Sequence, residues 1–148
     1  MAFDFALYDS ADTSLTTPLG STLSFVVSAN AGASGQDKHY LFGSPTASTK
    51  CQMASNPGVD QIPISILDSA VGTGHATTEV YLATTQVGLD SATGGASLNI
   101  GHTVTAGSGN VVNVWVRYNP PHPRTVEYNT ELSVRIGTGT DSLIQSPV

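Results

Sequence analysis

"VVNVWVRYNPPHPRTVEYNTELSVRIGTG", residues 111–139, decides the fold class. Its first eight residues put Val112, Val114, Val116 and Tyr118 on one face of a strand, and Val111, Asn113, Trp115 and Arg117 on the other. Successive side chains of a strand point to opposite faces, so both faces here carry apolar bulk. A central strand covered on both sides predicts that pattern, and so does a strand whose outer face meets another subunit. In the second half, Leu132, Val134 and Ile136 alternate with Glu131, Ser133 and Arg135, a strand dry on one side and wet on the other. Between them, the prolines of "NPPHPR", Asn119 to Arg124, cannot donate ladder hydrogen bonds and predict a stiff loop projecting from one end of the sheet. The lone Trp115 is expected to anchor the core rather than to stack on a ligand. At wet positions of neighbouring strands, Arg117 and Arg135 are expected to pair with Glu131 or Glu127.

The same period recurs along the chain. Phe3, Phe5 and Leu7 share one face near the start, and Leu23, Phe25 and Val27 do so in "STLSFVVSA". Further strands are predicted in "KHYLFG" from Lys38, "QIPISIL" from Gln61, "TEVYLAT" from Thr78 and "ASLNIG" from Ala96. No window keeps apolar residues at helical spacing, and Gly, Pro and Asn punctuate the whole length. The expectation is one all-β domain over 1–148, an antiparallel β-sandwich or barrel of about eight strands, immunoglobulin-like or jelly-roll-like. Flexible stretches are predicted at 28–37 and in a C-terminal tail at about 138–148, where Leu143, Ile144 and Val148 call for cover.

At 148 residues the chain is long enough for a single hydrophobic core. Asp, Glu, Lys and Arg make up only 11% of it, so Ser, Thr, Asn, Gln and Gly must keep the surface wet. The net charge of −6 and the scatter of Lys38, Lys50, Arg117, Arg124 and Arg135 argue against nucleic-acid binding. No apolar run is long enough for a membrane span, and the start lacks the basic region of a signal peptide, so a soluble protein without a leader is expected. Cys51, the only cysteine, rules out an internal disulfide and any multi-thiolate zinc site, and it is expected to be a buried bystander.

Reaction chemistry finds little purchase. His39, His75, His102 and His122 form no close pair of metal-ligating spacing and are expected in loops or on the surface. There is no G-x-S-x-G elbow, no Walker lysine and no window rich in acids. Asp68 and Asp90, each in "LDSA", are expected to cap turns. The expectation is therefore a non-enzyme with no cofactor and no metal.

The stretches "TKCQMASNPGVDQIPISILDSAVG" (49–72) and "GLDSATGGASLNIGHTVTAGSGNVVNVWVRY" (88–118) resemble the small β-sandwich structural proteins of tailed bacteriophages. That class includes capsid cement or decoration proteins and tail or baseplate accessory proteins. "NPGVDQI" before an apolar strand, and "GGASLNIG" leading to "VWVRY", carry the resemblance over about half of the chain. It implies a virion protein, made in the host cytoplasm, that binds the major capsid protein lattice and copies of itself as a dimer or trimer. Many copies then add modest contacts. The contact surfaces implied are the outer face of the Trp115 strand, the proline loop and the termini. Their residues are Trp115, Arg117, Pro120, Pro121, His122, Arg124, Leu143 and Ile144. A carbohydrate- or cell-surface-binding sandwich, with Trp115 or Tyr118 stacked on a sugar, is the alternative.

Overall fold

The computed structural model describes residues 3–20, 23–26, 35–121 and 130–148. Ten strands lie among them: β1 (Ala6–Asp9), β2 (Gln36–Gly43), β3 (Thr49–Met53), β4 (Pro63–Asp68), β5 (Val80–Ala83), β6 (Leu98–Asn99), β7 (Val104–Thr105), β8 (Val112–Tyr118), β9 (Leu132–Ile136) and β10 (Leu143–Pro147). They form three antiparallel sheets, a four-stranded one ordered β1-β2-β8-β5 and two three-stranded ones ordered β10-β3-β7 and β6-β4-β9. The sheets stay open rather than closing into a barrel, and the fold is an all-β sandwich.

Alternation explains which face each strand buries. Tyr40 and Phe42 of β2, Val80 and Leu82 of β5, and Val114 and Val116 of β8 point inward from the four-stranded sheet. They meet Cys51, Met53 and Val104 from one small sheet and Ile64, Ile66 and Val134 from the other in a single core. Phe42, Ile64 and Val114 have no exposed surface at all. Burying each of these side chains contributes about 1.5–3 kcal/mol. Cys51 is packed among them, and burial pushes its thiol up to about 12. The residue is the bystander expected, with no thiolate at neutral pH to act as a nucleophile.

A smaller cluster sits on the opposite side of the four-stranded sheet, where Leu15 covers Tyr8 and Leu41. Leu15 adopts a left-handed backbone with φ of 56°, and the Asp12 carboxylate fixes the following residues by accepting the amide hydrogens of Thr16 and Thr17. Asp68 caps a turn as expected, its Oδ1 accepting the Ala70 amide hydrogen at 2.9 Å.

Several expectations are corrected. β8 and β9 do not pair: β8 lies between β2 and β5, whereas β9 pairs with β4 in another sheet. The pattern identified both as strands, but pairing is set by distant partners that a local pattern cannot name. Strands at 49–53, 104–105 and 143–147 went unanticipated. Residues 143–147 are no loose tail, because β10 pairs along its whole length with β3, from Leu143 opposite Met53 to Pro147 opposite Thr49. Residues 23–26 contain no strand, although Leu23 and Phe25 do pack on the core, and Val27 lies outside the described residues. Phe5 and Leu7 are buried, but Phe3, on the same predicted face, is 48% exposed.

Candidate functional site

The outer face of the four-stranded sheet brings together several side chains from strands far apart in sequence. On β8 the residues pointing outward are Asn113, Trp115 and Arg117, because Val112, Val114 and Val116 take the core side. Register places His39 and Ala83 opposite Trp115, and Asp37 and Tyr81 opposite Arg117. Two corners of this face are covered, one by Leu15 and the other by the turn at 87–90 with its buried Leu89. Between them runs an open strip.

Trp115 is the centre of the strip and is half-buried, not a core anchor. Its indole and the His39 imidazole stack with centroids 4.4 Å apart and planes 1° from parallel. His39 is held in turn by Asn113, whose Oδ1 lies 2.9 Å from Nε2. Three valines in phase outweigh one tryptophan in deciding which face of β8 is wet, which is why the core expectation for Trp115 fails.

Beside the stacked pair lies a charged network. Arg117 Nε donates to Asp37 Oδ1 at 2.7 Å and Nη2 donates to Asp37 Oδ2 at 3.1 Å, a two-pronged contact between directly opposed residues. Nη2 also approaches Asp90 Oδ1 at 3.0 Å, and Gln86 donates to Asp37 Oδ2 at 3.3 Å. The hydrogen bonds from Arg117 hold the Asp37 carboxyl below the usual carboxylate range, and those from Arg117 to Asp37 push the guanidinium further up. The predicted partners of Arg117, Glu131 and Glu127, are thus replaced by Asp37 and Asp90, and Asp90 serves this network rather than capping a turn. Arg135 does not pair with Glu131 either; its Nε is buried without a hydrogen bond among the described residues. Glu127 lies outside the described residues.

The other anticipated contact residues are scattered. Pro120 is buried and is no surface contact, whereas Pro121 is exposed. His122 and Arg124 lie outside the described residues. Leu143 and Ile144 belong to β10 in a different sheet from Trp115, and Leu143 packs partly on the core while lining two adjoining grooves. Those grooves run along β9 and the start of β10, with Phe3 in both.

One further cluster is buried. His75, expected in a loop or on the surface, is buried with Glu79, and its Nδ1 lies 2.7 Å from Glu79 Oε2 and 2.8 Å from the Tyr118 hydroxyl. Glu131 accepts the His75 amide hydrogen. The i,i+4 spacing in "HATTE" was the available signal. The cluster joins the β4–β5 connection, the end of β8 and the start of β9, and it lines neither groove. Among the described residues, no group of three or more His, Cys, Asp or Glu is arranged to hold a metal.

No protein-family model, no curated protein and no solved structure matches this chain.

Proposed function

We propose that this chain is a non-enzymatic structural component of a virus particle, a cement or decoration protein that binds the major capsid lattice and neighbouring copies of itself. The observation that supports this reading is the open strip on the four-stranded sheet, with half-buried Trp115 beside Arg117 and His39. Tryptophan and arginine are the residue types that most often anchor protein interfaces. Here both are pre-positioned by neighbours from the same sheet, so little side-chain freedom remains to be lost on binding. The glycan-binding alternative is less favoured because His39 already covers one face of Trp115, which leaves a single face for a sugar.

The test is the copy number of the protein in purified particles, measured by mass spectrometry against the major capsid protein. A ratio near one, or a simple fraction of it, is expected. A few copies per particle would place the protein in the tail or baseplate, and absence from particles would overturn the reading.

A further inference from the structure

β9 is an edge strand with a definite exposed set of backbone groups. Gly137 donates its amide hydrogen to Pro63 O at 2.8 Å, and Glu131 O accepts the Ser69 amide hydrogen at 2.9 Å, so the odd-numbered residues of this segment turn their backbone groups toward β4. In an antiparallel ladder the pattern alternates residue by residue. Leu132, Val134 and Ile136 therefore turn their N–H and C=O groups toward the other side. No strand pairs with β9 there among the described residues. That side is the groove of about 450 Å³ lined by Phe3, Phe5, Leu67, Val134, Ile136 and Leu143, together with Arg135.

Arg135 makes this groove more than an apolar edge. Its Nε is buried and has no hydrogen-bond partner among the described residues, and its guanidinium lies beside Gly139. A buried donor without an acceptor is costly, and a guanidinium recovers most by meeting a carboxylate. Edge backbone groups, an apolar lining and a half-buried guanidinium with no acidic partner among the described residues together specify one kind of occupant.

We infer that the β9 groove takes an extended segment of a partner protein in which an Asp or Glu side chain is flanked by apolar residues. The segment adds a strand to β9 by backbone hydrogen bonds to Val134 and Ile136, and its carboxylate pairs with Arg135. A second copy of this chain pairing β9 with β9 would set one Arg135 near the other and supply no acid, so it is disfavoured. The inference stands apart from the particle reading and does not depend on the Trp115 strip.

The experiment is a nuclear magnetic resonance titration of the labelled full chain with an acetylated, amidated hexapeptide of alternating valine and threonine carrying one aspartate. Its Asn counterpart is the control. Saturable shifts are expected at the amides of residues 132–136 and at Leu143. The Asp peptide should bind about tenfold more tightly than the Asn peptide, as one charge-assisted hydrogen bond requires, and Arg135→Gln should abolish that preference. Equal binding of the two peptides, shifts confined to other strands, or no shifts at millimolar peptide would overturn the inference. So would protection of the Val134 and Ile136 amides from hydrogen exchange in the free protein, which would mean that the edge is already covered. Concentration-dependent shifts at the same amides without peptide would replace the partner with a second copy. If Arg135→Gln does not fold, the comparison of peptides on the unaltered chain decides alone.

Discussion

Removing the Asp37–Arg117 contact, singly and doubly, isolates the interaction that fixes the polar half of the strip. Directly opposed charges across a sheet contribute roughly 0.2–1 kcal/mol. This pair is also two-pronged, with side chains only 19% and 26% exposed, which raises the expectation to about 1–2 kcal/mol. Asp90 adds little, because its side chain is 70% exposed. The cycle compares the unaltered chain with Asp37→Asn, Arg117→Met and the double variant by urea unfolding, so that solvation changes at each site cancel. For a chain of 148 residues the unfolding entropy is about 0.3 kcal/mol per kelvin, so a coupling of 1.5 kcal/mol corresponds to about 5 °C in Tm. The sign with pH follows from the lowered Asp37 carboxyl. A carboxyl whose folded value lies below its unfolded one contributes fully above the unfolded value, about 3.9, and loses that contribution as pH falls through the folded value. The coupling should therefore be full at pH 7 and be lost progressively as acid takes the pH below the unfolded value and through the lower folded one. A coupling below about 0.3 kcal/mol at pH 7, or one unchanged in acid, would refute the reasoning, since either result means the ion pair does not fix the strip.

Trp115→Ala should leave the protein folded, with a loss of about 1–2 kcal/mol for a half-buried ring; on the proposed particle role it should also weaken co-sedimentation with purified particles at least tenfold. Because it is the only tryptophan, its emission should also shift to the blue when the unaltered protein binds. Cys51 should resist thiol reagents until the chain unfolds, since it is fully buried and its thiol is pushed up to about 12; prompt labelling of the native protein at pH 8 would contradict this. Gly94→Ala should lower stability by about 2 kcal/mol or more in thermal unfolding, because an added Cβ would lie 2.0 Å from the Thr78 carbonyl oxygen. Glu79→Ala should cost about 1–3 kcal/mol by the same measurement, as it removes a buried hydrogen-bond partner from His75 Nδ1.

What the sequence makes legible is set by the range of the physics involved. Strict alternation in Leu132–Ile136 and in the valines of 112–116 is a property of each strand alone, and both strands are where the pattern puts them. Thr49–Met53 alternates equally well in burial, but its inward residues are Thr, Cys and Met, which carry a weak hydropathic signal. Leu143–Pro147 ends on proline and carries no alternation, and only pairing with β3 makes it a strand. The strip is half legible: Trp115 and Arg117 stand out in the sequence, but His39, Asp37 and Asp90 come from 76, 80 and 27 residues away, counting from Trp115 to His39 and from Arg117 to the two acids. Arg135 was expected to have a partner because wet strand positions usually find one, and nothing in its neighbourhood of sequence reveals that it lacks one.

The strand pairings also govern how the chain comes to be folded as it is made. Among the described strands, β1 and β2 are the only sequence neighbours that pair; β2 needs β8, β4 needs β9, and β3 needs β10. At roughly 5–20 residues per second of synthesis, β2 waits several seconds for residues 112–118 to emerge, and β3 waits for residues 143–147. Such non-local pairings are slow to close even in the finished chain, on the order of milliseconds to seconds. The nascent protein therefore holds sheets with an open edge on β2, β3 and β4 for most of its synthesis, and a ribosome stalled before residue 112 would display a chain with no means of completing any of its three sheets.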